Sequence, residues 1–210
     1  MGGDGPAGIA SAWSAAAGAE EDPPDAAVIR QSLADPECFA MLYDRHAAVI
    51  HRYAAQRLGA DAADDLMAET FLIAFRKRGR YDLAREDALP WLYGIVTRLI
   101  AGHRKDEVRR LRLGERVSAA LGAAPDVIED GAGTAGLAGP LARALAGLPK
   151  TYRDVVLLVA WADLSYEEAA AALRIPVGTV RSRLSRARAR LRAALCGADC
   201  ACVDEESTNG

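Results

Sequence analysis

Apolar residues recur at helical spacing along three stretches in the first half of the chain. Asp35 and Pro36 form a suitable N-cap and first-position pair, and the apolar side chains that follow predict a helix ending at Gly59. Two further helices are predicted over residues 62–78 and 88–112. The third helix begins apolar and ends basic. One half of it is therefore predicted to join a core and the other half to form an electropositive surface.

The second half of the chain contains four more predicted helices, which span residues 140–147, 150–162, 166–173 and 177–195. Ser165 and Glu168 have the spacing of a capping box, in which each side chain satisfies a free amide of the other residue. A short helix, a turn of about four residues and a longer basic helix together predict a helix-turn-helix. In that motif the second helix lies in the DNA major groove.

Glycine-rich sequence separates the two groups of helices. Residues 114–139 predict a flexible linker, which can span at most ~90 Å when fully extended. Residues 1–29 and 197–210 are acidic and are predicted to be disordered tails. Because alanine is abundant and favours helices, the predicted fold is all-α. It consists of two small helical domains, residues 30–113 and 140–196, joined by that linker.

The distribution of charge changes what the net charge implies. The chain has a net charge of -3, which alone argues against nucleic-acid binding. However, residues 1–29 carry five acids and no base, and residues 199–210 carry four acids and no base. Without these nine acids, the net charge becomes +6 for residues 30–198. Acidic ends around a basic body are compatible with a nucleic-acid partner.

Several functional classes find no support in the sequence. The longest apolar run, residues 155–162, is too short for a membrane span, and no secretory signal is visible, so a cytoplasmic protein without membrane insertion is expected. No nucleotide-binding loop, zinc-ligand spacing or catalytic triad is evident, so we expect neither an enzyme nor a cofactor or metal. Cys196, Cys200 and Cys202 are interpreted as part of the tail, with a metal or redox role as the alternative.

The last predicted helix has the composition of a recognition helix. Residues 173–195 contain seven arginines and no acid. A narrow apolar stripe predicts the buried face, and small hydroxyl side chains with arginine lie opposite or beside it. Hydroxyl groups bond base edges or phosphates, and arginine pairs with guanine. A solvated basic face is the alternative. The candidate DNA-binding residues are Thr179, Arg181, Ser182, Arg183, Ser185 and Arg186.

Two blocks of sequence together resemble one known family. Residues 166–190, YEEAAAALRIPVGTVRSRLSRARAR, look like region 4 of the extracytoplasmic-function (ECF) sigma factors. Residues 39–110, which include DDLMAETFLIAF and PWLYGI, resemble their region 2. The blocks stand in the expected order, with a linker where the third region of larger sigma factors would be. The resemblance implies a factor that directs core RNA polymerase to promoters and initiates transcription.

The resemblance also implies partners for the first domain. In this family an acidic helix of region 2 docks on the β′ subunit of RNA polymerase, and Asp65, Leu66 and Glu69 occupy its motif positions. Ala68 stands where the family usually has glutamine. The following loop, here residues 79–87, and the next helix recognise and melt the −10 element. The residues that the resemblance assigns to this DNA are Arg80, Arg104, Lys105, Arg109 and Arg110.

For the second domain, the resemblance implies that it recognises the −35 element and docks on the β subunit of the polymerase. The helix over residues 155–161 would form part of that docking surface. It also implies an anti-sigma protein as a further partner. Arg98 replaces a common asparagine, so no base-pocket role is transferred to it. The main alternative is a stand-alone helix-turn-helix repressor, although no dimerisation heptad is present.

Overall fold

The structure, a computed structural model, describes the backbone of residues 22–120 and 139–201 and the side chains of residues 22–113 and 139–196. The described residues contain α-helices, short 3-10 turns and no strand, as the all-α prediction requires. The helices are α1 (Asp25–Ser32), α2 (Ala40–Leu58), α3 (Ala60–Lys77), α4 (Leu89–Ala120), α5 (Pro140–Ala146), α6 (Lys150–Ala160), α7 (Tyr166–Leu173) and α8 (Val177–Ala201).

The first four helices form an N-terminal unit around the buried half of α4. Leu92, Val96 and Ile100 of α4 are fully buried, as are Leu42 and Ile50 of α2. α2 and α3 are joined by Gly59 alone, whose φ of 89° lies in the region that favours glycine. This single residue lets α3 fold back along α2, and both helices pack against α4.

Helix α1 was not predicted, because it falls largely within the segment expected to be a disordered tail. It begins at Asp25, so the predicted boundary at residue 29 is wrong, while residues 1–21 lie outside the described part of the chain. Asp25 accepts hydrogen bonds from Arg45 (3.0 Å) and from the backbone N–H of Ala88 (2.9 Å), and its Oδ2 lies 2.7 Å from Nε2 of His46. One buried carboxylate therefore ties α1 to α2 and to the start of α4.

The C-terminal unit is built from α5 to α8. Arg153 of α6 donates hydrogen bonds to three backbone carbonyls at the end of α5, those of Leu145, Ala146 and Leu148. The predicted capping box is confirmed: the Glu168 N–H donates to Ser165 Oγ (3.2 Å), and the Ser165 N–H donates to the Glu168 carboxylate (2.7 Å). α7 and α8 therefore form the predicted helix-turn-helix.

Two helices extend beyond their predicted ends. α4 continues to Ala120, seven residues into the predicted linker, and α8 continues to Ala201 in the predicted tail. In the α4 extension, arginine, glutamate and two alanines favour helix and outweigh the single glycine. In the α8 extension, two alanines favour helix. The rest of the predicted linker and tail lies outside the described residues.

The two units contact each other through α4 and α7, and through an ion pair between Arg57 and Asp154 (2.8 Å). The linker prediction did not anticipate this contact. Among the described helices, none is long and apolar enough to cross a membrane.

We expect the ionised carboxylate of Asp25 to stabilise the N-terminal unit, so that the stability of the unit depends on pH. Burial alone would raise its pKa, but hydrogen bonds and the charge of His46 outweigh burial and hold the pKa at about 2. Because this pKa is below the unfolded value, the stabilisation is complete above about pH 5 and is lost as the pH falls towards 2. At pH 7, Asp25→Asn should lower the free energy of unfolding by about 2 kcal/mol in urea denaturation.

The difference between parent and variant should shrink as the pH falls. Asp44→Asn, at an exposed acid of the neighbouring helix, is the control and should match the parent. An Asp25→Asn protein as stable as the parent at pH 7 would contradict this role of the carboxylate.

Candidate nucleic-acid interface

The recognition helix α8 has the two faces that the sequence predicted. Val180, Leu184 and Ala187 are buried against the rest of the C-terminal unit. On the other side, the exposed candidates are Arg181, Ser182, Ser185 and Arg186. Thr179 and Arg183 are half-buried at its edges. The exposed face carries two guanidinium groups and two hydroxyls near the start of the helix, which suits the edges of bases in a major groove.

Some of these side chains already have partners within the chain. Arg181 lies 3.7 Å from the carboxylate of Glu167 and 6.0 Å from the centroid of the Tyr166 ring. Ser182 donates a hydrogen bond to the carbonyl of Thr179 (3.1 Å). Both contacts are solvent-exposed, and contacts of this kind contribute little to stability. They leave these side chains available to DNA, and within the described part of the chain no partner holds Ser185 or Arg186.

The basic end of α4 forms a second electropositive surface. Lys105, Arg109 and Arg110 are exposed, and Arg109 makes a 3.4 Å ion pair with Asp106 one turn earlier. Arg104 differs, because it is half-buried and donates a hydrogen bond to the carbonyl of Arg57 (2.9 Å). Burial, with the nearby charges of Arg57 and Arg153, lowers the pKa of Arg104 to about 10. In this structure the Arg104 guanidinium is therefore bound to the protein's own backbone and does not extend into solvent as the other three do.

The loop before α4 is fixed to the N-terminal unit by a tyrosine. The buried Tyr81 hydroxyl lies within hydrogen-bonding distance of the carbonyls of Arg85 (2.8 Å) and Asp87 (2.9 Å). Burial raises the pKa of this hydroxyl, so it remains protonated as a donor. Its ring contacts Trp91 with centroids 5.0 Å apart. Arg80 is exposed at the start of this loop, next to the basic end of α3.

The exposed acidic face predicted on α3 is present, but the apolar residue exposed on that face is not the predicted one. Asp65 and Glu69 are exposed, whereas Leu66 is 4% exposed and belongs to the core. The expectation of Leu66 as an exposed docking contact is therefore wrong, because its position on the helix faces the hydrophobic core. Leu72 is 46% exposed and lies seven residues after Asp65, on the same side of the helix. Helical spacing from Asp65 would have identified it.

The helix expected to contribute to a β-subunit surface is largely internal. Val155, Val156, Leu157 and Leu158 of α6 are all buried, and Trp161, just after the helix, is 40% exposed. Ala160 is also exposed, and Trp161 is the large apolar side chain of this segment that is placed to contact a partner.

A buried polar network was missed altogether by the sequence analysis. Arg57 donates to the Tyr53 hydroxyl (2.9 Å) and to Asp154 (2.8 Å), and that hydroxyl lies 3.2 Å from Thr97 Oγ1. The charged partners are far apart in the chain, and each resembles an ordinary surface residue of its helix. No local signal identifies such a pair.

One group of side chains within the described residues has the spacing of metal ligands, namely Asp25, His46 and Asp87. The Asp25 carboxylate is already occupied by Arg45, by His46 and by a backbone amide. An arginine on the same carboxylate disfavours a cation, so we interpret this group as structural. Cys196 is an exposed thiol at the end of α8, and the side chains of Cys200 and Cys202 lie outside the described set.

Comparison with known proteins agrees with this geometry. Residues 42–110 match the family model of sigma-70 region 2, and residues 138–191 match that of sigma-70 region 4. The probable RNA polymerase sigma-C factor of Mycobacterium bovis is 36% identical over 147 residues, which cover 69% of this chain and 76% of that protein. The chain belongs to the ECF sigma factors of the sigma-70 family.

Other comparisons extend over more of this sigma factor. The ECF sigma factor SigW of Bacillus subtilis is 29% identical over 167 residues, covering 75% of this chain and 89% of SigW. Among solved structures, CnrH in complex with the cytosolic domain of CnrY matches with a TM-score of 0.59 and 26% identity. That match covers 82% of this chain and 97% of CnrH.

The fold is also similar to that of the sigma factor RpoE of Bartonella quintana, solved in complex with the anti-sigma factor NepR. The TM-score is 0.54 and the identity 24%, over 75% of this chain and 96% of that one. The family models and the relatives confirm the predicted family and its role in transcription initiation, and the solved structures confirm the all-α fold.

Substitutions at two positions along α8 test whether its exposed face recognises bases. Arg186→Ala should weaken promoter binding by the holoenzyme by about 1–3 kcal/mol and relax preference in the upstream element, if its guanidinium pairs with a base. Arg192, which is exposed two turns later and donates to the Arg188 carbonyl (3.4 Å), is the matched control. Arg192→Ala should weaken binding evenly across sequences.

The measurement is holoenzyme affinity for a set of upstream-element variants. Equal behaviour of the two substitutions across that set would show that the base-contacting face of α8 is assigned incorrectly.

Proposed function

We propose that this sigma factor docks on core RNA polymerase through the exposed face of α3 and that the docked holoenzyme recognises both promoter elements. The acidic face defined by Asp65, Glu69 and Leu72 supports the docking step, because a self-contained DNA-binding protein has no evident use for it. The β′ subunit is the proposed partner of this face. Trp161 is the proposed apolar contact of the C-terminal unit with the β subunit.

The −10 element is assigned to the loop over residues 79–87 and the basic end of α4. Lys105, Arg109 and Arg110 offer three exposed charges along one helix end, which suits the phosphates of a DNA strand. Melting without ATP is possible because bases that leave the stack regain contacts with the protein. The loop, with its Tyr81 anchor and exposed Arg80, supports this role by holding a fixed shape at the start of the same helix.

The −35 element is assigned to the exposed face of α8. The proposed base contacts are Arg186, Ser182 and Ser185. Arg181 is a proposed phosphate contact, which it makes once it releases its ion pair with Glu167. Phosphate contacts position the protein, and base contacts supply sequence preference. Thr179 and Arg183, at the edges of the helix, complete the proposed surface.

We also infer an anti-sigma protein as a partner, since CnrH was solved with the cytosolic domain of CnrY and RpoE with the anti-sigma factor NepR. The proposed role is non-catalytic: the polymerase performs the chemistry and the sigma factor supplies promoter choice. Since polymerase and chromosome are its proposed partners, we propose that it acts in the cytoplasm. A stand-alone repressor is not favoured, because the family match extends across both units.

Charge reversal on α3 tests the docking face. Asp65→Lys with Glu69→Lys should weaken binding to core polymerase by about 3 kcal/mol, roughly a hundredfold, because like charges then face a basic partner. Both side chains are exposed, so the free energy of unfolding should change by no more than about 0.5 kcal/mol for each substitution. Binding is measured by co-purification and titration with core polymerase, with a circular dichroism melt to confirm folding.

The matched control reverses two exposed acids elsewhere, Glu37→Lys with Asp44→Lys, and keeps the same change in net charge. It should retain the affinity of the parent. If the α3 variant is folded and binds core polymerase as tightly as the control, the docking face lies elsewhere.

A further inference from the structure

A cleft between the two helical units has a strongly cationic lining. Its volume is about 280 Å³, and it lies where Gly94 of α4 approaches the backbone of Ala172 in α7. Four basic side chains line it, namely Arg98 of α4, Lys150 of α6, Arg174 in the turn between α7 and α8, and Arg183 of α8. The cleft therefore gathers positive charge from both units.

These four cations are not neutralised within the described part of the chain. None of them has a carboxylate in ion-pairing distance or a side-chain hydrogen bond there. Among the described residues that line the cleft, the one acid is Asp154, which is already paired with Arg57 at 2.8 Å. A cleft lined by charges of one sign focuses its electric field and concentrates counter-ions. The ligand that this cleft attracts is therefore an anion.

The cations are close enough to affect one another. Partial removal of Arg98 from water, together with the charge of Arg174, lowers the pKa of Arg98. The second effect is the one expected of neighbouring like charges. An anion bound between the two guanidinium groups would replace this repulsion with attraction to both of them.

Hydrogen-bond donors accompany the cations. Lys150 and Thr151 are the first two residues of α6, and no side chain caps this helix start, where Pro149 holds the cap position. The first N–H groups of a helix have no partner within the helix and favour anions. The lining also includes Thr97, and the hydroxyl groups of threonines bond phosphate oxygens. The cleft therefore offers directed donors as well as charge.

The size and charge of the cleft indicate the class of anion. Sites for drug-sized ligands usually measure about 300–1,000 Å³, so a cleft of about 280 Å³ suits a compact ion better than a whole nucleotide. One phosphate group carries a charge of about −1.5 to −2 at neutral pH, so two linked phosphates match the four cations. Arginine also binds phosphate through paired, charge-assisted hydrogen bonds.

We propose that this cleft is a binding site for a diphosphate group, held by Arg98 of the N-terminal unit and by the three cations of the C-terminal unit. The ligand is inorganic pyrophosphate, or the diphosphate end of a nucleotide whose remaining part extends into solvent. The site depends on side chains of both units and not on the promoter assignments. It therefore stands or fails independently of the proposed function.

Calorimetric titration of the full chain with pyrophosphate, without divalent metal ions, tests the site. The cleft variant, Arg98→Gln with Lys150→Gln, removes one cation from each unit and leaves Arg183 of the proposed −35 surface unchanged. The matched control, Arg76→Gln with Lys77→Gln, removes one arginine and one lysine from α3, outside the cleft. All four substituted side chains reach solvent, so the fold should survive, and a circular dichroism melt verifies this.

A single substitution tests the same site from another element. Arg174 has a φ of 56°, in the left-handed region, where asparagine is tolerated better than most residues. Arg174→Asn therefore removes a cation of the cleft and keeps a residue suited to the backbone of the turn. Should the cleft variant not fold, Arg174→Asn decides by the same comparison with the control.

We expect the parent and the control to bind one pyrophosphate per chain, and the cleft variant and Arg174→Asn to bind it at least about tenfold more weakly. Adenosine diphosphate that binds as tightly as pyrophosphate or more tightly would assign the site to a nucleotide, and weaker binding would assign it to free pyrophosphate.

Two results would overturn the site: no saturable binding of either diphosphate to the parent, or equal binding by the control and the folded cleft variants. Sulfate at the same ionic strength provides the test of ligand class. If sulfate binds to the parent as tightly as pyrophosphate does, the assignment to a diphosphate is wrong.

Discussion

Burial of the apolar half of α4 is the interaction on which the other features of this sigma factor depend. The same helix packs against α2 and α3 in its own unit and against α7 of the other. Its first half is fixed by Leu92, Val96 and Ile100, and this directs the basic second half away from the core. The loop over residues 79–87 is then held against the start of α4 by Tyr81 and Trp91. Loss of this packing would disrupt both the proposed −10 surface and the contact between the units.

Charge is separated among surfaces with different proposed partners. The exposed acids of α3 are proposed to contact the polymerase, and the exposed arginines of α4 and α8 are proposed to contact phosphates and bases. The net charge of the chain is -3, which gives the free protein no general attraction to DNA. In the proposed function, docking on polymerase is the event that brings both DNA surfaces into use.

Much of this organisation was predictable from local sequence. Helical periodicity located seven of the eight described helices, and the Ser165–Glu168 spacing identified the capping box. The buried stripe of α8 followed from the same periodicity.

Helix α1 was not predicted, because its stability comes from Asp25 and its partners on α2 and α4, which are distant in sequence. Leu66 is buried and Leu72 is exposed in the proposed docking face, so a motif position does not by itself determine exposure. The Arg57–Asp154 pair could not be predicted, since only the packing of the two units brings these residues together.

The most direct test of promoter-directed initiation is transcription in vitro from genomic DNA with purified core polymerase, followed by mapping of transcript start sites. The account predicts a defined set of starts, each preceded by a shared pair of sequence elements, only when the sigma factor and core polymerase are both present. Start sites that are unchanged by the protein, or specific high-affinity binding to those promoters by the free protein with no new starts, would contradict it.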